Sequence, residues 1–395
     1  MTSVKRPIVN EGLMSDVRGS CDARFTGLRE VFAAQLASGE DLGASLAVSV
    51  DGAFAVDLWG GWTDEAKSKP WQADTIVNVW STTKTMTSLC ALILHDRGLL
   101  NVYEKVSAYW PEFGVNGKED IEVRHLLSHT SGVSGWDQPI ALEDIYDLEA
   151  STARLATQAP WWEPGTASGY HAQNQGHLVG EVIRRVSGRT LGRFFADEVA
   201  GPLGADFHIG LDKKEFGRVS DIIPPPPLTA AIDFSALDPN SPAMKTFTGP
   251  MSEASKANTA AWRQAEIGAA NGHGNARSVA LVQSVVANGG TVNGVQLLTP
   301  GTIDVIFDEQ ANGIDLVLGI PLRFGIGYGL PLPQTLPFIP DDPGICFWGG
   351  YGGSMIVVDT VRKMTIAYMM NRMSAGIIGS PTSAALITRA YEAVA

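Results

Sequence analysis

Apolar residues recur at helical spacing from about Asp22 to Ser38, at Phe25, Leu28, Val31, Phe32 and Leu36, and Gly39 supplies a natural stop. The period then changes. Ala44 to Val50 and Ala53 to Trp59 are runs of β-forming residues separated by Asp51-Gly52. An Asp-Gly between two such runs is the strongest short-range hairpin signal. Helical spacing returns from Ser81, with Met86, Leu89, Cys90 and Ile93 sharing a face and Gly98 ending it.

From about Val102 to Gly274 the pattern mixes short helical pieces with Pro-, Gly- and Trp-rich loops. Leu178 to Val186 reads as a helix closed by Gly188, and Pro224-Pro225-Pro226-Pro227 reads as an extended linker or surface loop. Ala276 to Ala287 is helical again and ends at Gly289-Gly290. Two strand runs follow, Ser354 to Asp359 and Met364 to Met370, then a closing helix from about Thr382 to Ala395. The β-rich material therefore sits at both ends of the chain. The economical assembly is an α+β fold: one antiparallel sheet built from both termini, covered by terminal helices, with a mainly helical lobe inserted. The expected division is 1–100 with 275–395 for the sheet lobe and 101–274 for the helical lobe. No internal repeat is visible.

Composition narrows the class. The 395 residues are 45% hydrophobic and 18% charged, enough for a large core or for two lobes sharing one. Acidic residues outnumber basic ones, 42 to 29, for a formal charge of −13, and no Lys/Arg run occurs. That balance speaks against a nucleic-acid or anionic-membrane partner. Cys21, Cys90 and Cys346 are too few and too scattered for a disulfide framework or a zinc cluster. The basic residues near the N-terminus have no apolar run behind them, and no stretch reaches the roughly 18 to 20 apolar residues of a membrane span. The expected compartment is the cytoplasm.

Candidate chemistry begins at Ser81-Thr82-Thr83-Lys84. Residues i and i+3 share a helical face with Cβ atoms about 5–6 Å apart. A desolvated lysine can lose its proton, and the neutral amine can then take one from the serine. The helix N-terminus adds backbone N–H donors for an oxyanion. Ser-x-x-Lys alone is a weak signal, expected about once by chance in a chain of this length. Its setting strengthens it, because an apolar, β-branched run (Ile76, Val77, Val79) precedes Trp80-Ser81 and an apolar helix follows. Tyr170 ends a run of small and turn-forming residues, Glu163 to Gly169, which suits a side chain aimed into a cleft. Trp348-Gly349-Gly350-Tyr351-Gly352-Gly353 leads into the strand at Ser354, and its glycines allow a ligand to approach the backbone.

Other residues carry blander readings. His95 falls near a helix end and reads as a capping or surface residue, and His129 as a holder of its loop. His171 adjoins Tyr170 and is a candidate to tune it or to touch substrate. Trp136, Trp161 and Trp162 read as packing in the inserted lobe, with one or two available to line a cleft. No paired-His or H-E-x-x-H spacing occurs, so no metal is expected. No G-x-S-x-G occurs, which counts against an α/β-hydrolase nucleophile elbow.

Together these residues resemble the serine β-lactamase-like superfamily of class C β-lactamases, penicillin-binding DD-peptidases and family VIII carboxylesterases. The likeness runs through the Gly43–Gly61 hairpin, Ser81 to Lys84, Leu126 to Gly132, Glu163 to Thr166 before Tyr170, Asn271 to Gly274, and Trp348 to Gly350. Two departures point to the esterase branch. Ala172 stands where Tyr-x-Asn would put an amide, and Trp348 stands where Lys-Thr-Gly or His-x-Gly would put a cation. The resemblance implies Ser81 as acylated nucleophile, Lys84 and Tyr170 sharing base and acid work, and the N–H groups of Ser81 and Tyr351 as oxyanion hole. It implies Trp348, Gly349, Gly350 and Tyr351 around the substrate, beside His171 as the candidate its position already offers, no cofactor, and short-acyl or aryl esters as substrates, with weak β-lactam turnover as a possible side activity. The competing readings are a β-lactamase or D-amino-acid peptidase, an acyltransferase, and a non-catalytic sensor or scaffold that kept the fold.

Overall fold

The computed structural model describes residues 17–225, 238–250, 253–376 and 378–395, so Pro226 and Pro227 of the proline run lie outside the described residues. Six strands form the main sheet: β1 (Val17–Cys21), β2 (Gly43–Val50), β3 (Ala53–Gly61), β4 (Ile345–Gly349), β5 (Met355–Asp359) and β6 (Met364–Met370). Their spatial order is β1-β3-β2-β6-β5-β4, and every neighbouring pair is antiparallel. The join between the chain's two ends is the β2–β6 pair, in register from Met364 with Val50 to Met370 with Ala44. Asp51 and Gly52 close the β2–β3 hairpin with φ of 50° and 78°, the two left-handed residues of a tight hairpin turn.

The helices cover both faces. Side chains alternate across a strand, so Thr365 and the Ser45 that lies beside Met369 point one way and Tyr368 the other. Thr365 donates to the Ala280 carbonyl and Ser45 accepts the Ala276 N–H, which seats helix Ala276–Ala287 on that face. Tyr368 packs toward the closing helix Pro381–Glu392 and donates to Asp41 Oδ1, while Thr382 of that helix donates to Gln35 of α1 (Thr26–Ser38). Gly39, at φ 82°, terminates α1 as the sequence pattern anticipates.

α2 (Thr83–Asp96) is buried from Thr83 to Leu94, so packing rather than one amphipathic face decides its place. It pairs with Gln175–Ser187 in the middle of the chain, which Gly188 ends at φ 72°. A three-stranded ladder of Val77–Asn78, His273–Gly274 and Phe207–His208 ties the segment before α2 to the middle of the chain. No helix among the described residues is long and apolar enough to cross a membrane.

Two strands of the main sheet escape the pattern reading. β1 is an edge strand whose middle residues face solvent, so its backbone bonds to β3 need no apolar alternation. β4 is apolar throughout and buried on both faces, which erases the period-two signature and leaves only a short run between loops. The helix expected from Ser81 also starts differently, with a 3₁₀ turn over Trp80–Thr82 before α2 proper.

Candidate active site

Trp80 holds φ of 50°, an uncommon value for a bulky residue, and this bend delivers Ser81 at the head of α2. Ser81 stays partly exposed while the next thirteen residues are buried. One helical turn on, Lys84 is 1% exposed and its Nζ lies 3.1 Å from Ser81 Oγ. The same Nζ donates to the carbonyl oxygens of Ala172 (2.8 Å) and Ala269 (2.9 Å). No carboxylate is among these partners. Burial therefore holds the Lys84 pKa well below the ordinary lysine value. Ala172 has lost the amide side chain of its motif, yet its backbone still anchors the lysine.

Tyr170 comes from the middle segment, and its hydroxyl neighbours Ser81. Its ring lies under Lys84, with Nζ 4.6 Å from the centroid. Burial raises the phenol above the usual tyrosine range, against the opposing effect of the neighbouring Ser81 and of the Trp348 N–H. Burial thus favours the neutral form of both groups, the phenol and the amine.

The glycine turn after β4 comes within contact of the Ser81 turn. A Cβ on Gly350 would lie 2.5 Å from the Val79 carbonyl oxygen and 3.0 Å from Trp80 Cβ. Ser354 Oγ bridges the two segments, donating to Val79 O at 2.9 Å and sitting 3.1 Å from Thr82 Oγ1. Gly350 itself donates to Ser354 O at 2.8 Å, while the N–H of Tyr351 has no hydrogen-bond partner among the described residues. The Tyr351 ring packs edge-on against Trp80, centroids 5.7 Å apart. Gly352 and Gly353 close the turn at φ of 87° and 125°, which other residues rarely adopt.

Trp348 and His171 depart from their expected placing. Trp348 is 3% exposed and packed among Phe324, Phe347, His129 and Tyr170, so it is not an open apolar wall. Its indole N–H donates to the Tyr170 hydroxyl at 3.2 Å. His171 is wholly buried with both ring nitrogens engaged, Nδ1 with Gly169 O (2.7 Å) and Nε2 with Ser131 Oγ (2.6 Å). It cannot reach a substrate without breaking those bonds, and burial pushes its pKa down to about 3. His129 does hold its loop, its Nδ1 accepting the His171 N–H at 3.1 Å. Trp136 is buried, its indole N–H donating to Ser151 O. Trp161 and Trp162 remain partly exposed and bond to Asp137 and Ala167.

The sequence reading missed Asp315. This wholly buried carboxylate accepts the N–H groups of Tyr170 (3.0 Å), Val317 (2.9 Å) and Leu318 (2.9 Å) through Oδ1. An acid set between apolar Ile314 and Leu316 was the available signal. Only the fold reveals that its partner lies 145 positions away.

A terminal-segment antiparallel sheet beside a buried central helix, with Ser-Thr-Thr-Lys at that helix's head facing a tyrosine and a glycine turn, defines the β-lactamase/transpeptidase-like class. The Beta-lactamase family model matches residues 28–379, and the chain belongs to that family. The esterase/beta-lactamase LipL of Mycobacterium tuberculosis (strain ATCC 25618 / H37Rv) is 32% identical over 371 residues, 92% of this chain and 84% of that protein. A family VIII carboxylesterase crystal structure superposes with a TM-score of 0.89 at 37% identity, covering 96% of this chain and all 100% of the other. A penicillin-binding protein homolog from Caulobacter crescentus gives 0.87 at 36% identity, with 96% and 100% covered.

Proposed function

We propose that this protein is a serine carboxylesterase that cleaves short-acyl or aryl esters through an acyl-Ser81 intermediate. The observation that carries the reading is the surroundings of Lys84 Nζ. Carbonyl oxygens can only accept, so Ala172 and Ala269 take both protons of a neutral amine. Its lone pair is then left for the Ser81 hydroxyl, 3.1 Å away. That is the arrangement of a general base beside its nucleophile.

In acylation, Ser81 Oγ bonds to the ester carbon while its proton passes to Lys84. The N–H groups of Ser81 and Tyr351 receive the developing oxyanion. The C–O bond to the alcohol breaks, and the leaving alkoxide takes the phenolic proton of Tyr170. The proton held by Lys84 then restores Tyr170, and both groups return to their starting state. Deacylation repeats the sequence with water as nucleophile and Ser81 as leaving group. Each proton transfer has a side chain assigned to it, so the scheme uses no metal ion or cofactor. The substrate enters between the two expected lobes, since Ser81 and Trp348 come from 1–100 and 275–395 and Tyr170 from 101–274. The partner is thus a small ester, and the expected compartment stays the cytoplasm.

A β-lactamase is the second reading, favoured by the match to the Beta-lactamase family and by LipL, whose name carries both activities. Against it, Trp348 offers no cation for a β-lactam carboxylate. The test is intact-mass detection of a fluorophosphonate adduct on Ser81, with kcat/KM for a p-nitrophenyl ester and for a chromogenic cephalosporin. Ser81→Ala that still turns over the ester would sink the proposal. A cephalosporin preferred over the ester would favour the second reading.

A further inference from the structure

We infer that Trp348 is a positioning residue that sets the direction of the hydrogen-bond chain through the site, turning the phenolic proton of Tyr170 toward Ser81. The inference rests on the acyl-serine reading above and adds to it a role for the third motif's aromatic residue.

The two ends of the chain have no freedom. An indole N–H can only donate, and Trp348 Nε1 lies 3.2 Å from the Tyr170 oxygen. At the other end the carbonyl oxygens of Ala172 and Ala269 can only accept, 2.8 and 2.9 Å from Lys84 Nζ. Between them Ser81 is hydrogen-bonded to Lys84, and the Tyr170 hydroxyl is the neighbour of Ser81 on its other side. With a neutral lysine only one arrangement satisfies every group. Trp348 donates to Tyr170, Tyr170 to Ser81, Ser81 to Lys84, and Lys84 to the two carbonyls. With a charged lysine the Ser81–Lys84 bond reverses, and Ser81, with two lone pairs, accepts from Lys84 and Tyr170 together. Trp348 therefore fixes the Tyr170 end of the chain in either state of the lysine, and only the neutral amine offers an acceptor to the serine proton.

The phenolic hydroxyl of Tyr170 is a rotor that prefers the plane of its ring. The indole N–H occupies one approach to the oxygen and thereby points the O–H at the other, where the alcohol departs. A donor at that oxygen also gains strength as the phenolate forms, because hydrogen bonds to an ionised acceptor are the stronger ones. Trp348 supplies this without adding charge. Lys in the same motif position would add a cation beside Lys84 and Tyr170. The aromatic packing around Trp348 keeps the indole in this one orientation: Phe324 at 5.2 Å and Tyr170 at 5.3 Å between ring centroids.

The experiment is a double-substitution cycle of Trp348→Phe and Tyr170→Phe, read with two substrates. One is a p-nitrophenyl ester, whose leaving group departs without a proton; the other is an alkyl ester of the same acid, whose alkoxide needs one. Trp348→Phe should lower kcat for the alkyl ester at least about tenfold more than for the aryl ester. In the Tyr170→Phe background it should add less than about twofold for either. Equal losses on both substrates, or the same loss with and without Tyr170, would show a purely structural role and overturn the inference. Thermal unfolding of each variant accompanies the kinetics, and Trp348→His serves as a second donor-bearing variant that should recover part of the alkyl-ester rate if Trp348→Phe folds poorly. Failure of the acyl-serine reading itself is separate: it would appear as turnover by Ser81→Ala, whatever the cycle gives.

Discussion

Asp315 holds Tyr170 by its backbone: Oδ1 accepts the Tyr170 N–H at 3.0 Å, together with those of Val317 and Leu318. The second carboxylate oxygen is buried without a partner among the described residues. The Tyr170 ring is thus aimed from behind by a loop that shares no local sequence with it. Asp315→Ala strands three N–H groups and should cost about 3 kcal/mol or more in urea unfolding. It should also lower kcat on a p-nitrophenyl ester more than tenfold. Asp315→Asn keeps the accepting oxygen and should fall between the two. Wild-type kcat in Asp315→Ala would refute the link to Tyr170.

Gly350 has no room for a side chain. A Cβ would sit 2.2 Å from Ser354 Oγ and 2.5 Å from Val79 O. Gly350→Ala must therefore push the turn away from Ser81 and carry the Tyr351 N–H with it. The expected loss in kcat is about 10²-fold, the usual scale for removing an oxyanion donor. Labelling of Ser81 by a fluorophosphonate should slow in parallel. A variant that retains its kcat would remove Tyr351 from the oxyanion hole.

Lys84 carries a stability signature with a definite sign. Burial lowers its pKa in the folded chain, so the unfolded chain binds more protons until the ordinary value of 10.5 is passed. Stability contributed through this group therefore rises with pH across the neutral to alkaline range and levels off above about 10.5. Lys84→Met removes the term. The difference in unfolding free energy, wild type minus variant, should climb with pH up to about 10.5, with a slope approaching ~1.4 kcal/mol per pH unit where the folded amine is neutral and the unfolded one charged. A flat difference would mean that Lys84 is charged in the folded protein.

The buried histidines act on the acid side. Burial depresses His171 and His273 to about 3 and His177 to about 4, while His129 is also held well below its usual value. Each stays neutral in the fold and takes a proton on unfolding. Stability should fall as pH drops from about 6.5 toward 4, and thermal melts across that range would register it. Replacing His171 by Gln should reduce the slope by about one proton's share. The plateau of kcat should show no step near pH 6.5 from His171, since its nitrogens are engaged with Gly169 and Ser131.

Much of this protein is legible from its residues taken in order. The Asp51-Gly52 hairpin, the helices closed by Gly39 and Gly188, and the Ser81/Lys84 spacing follow from local backbone and rotamer chemistry, and the structure carries each of them. The placing of both sheet halves at the chain ends was also readable, because the period of apolar positions changes there. What the tertiary structure alone decided is everything that depends on contact between distant segments. β1 pairs through its backbone, so no side-chain pattern announces it. The indole of Trp348 could have lined a pocket; packing against Phe324 and His129 instead turns its N–H onto Tyr170. His171, a neighbour of Tyr170 in sequence, is turned into the interior, while Asp315, remote in sequence, takes hold of the Tyr170 backbone. Spacing along a chain sets which residues can share a helix face. Which buried donor meets which buried acceptor is set only when the whole core closes, because each unpaired group there carries a cost that the final packing must avoid.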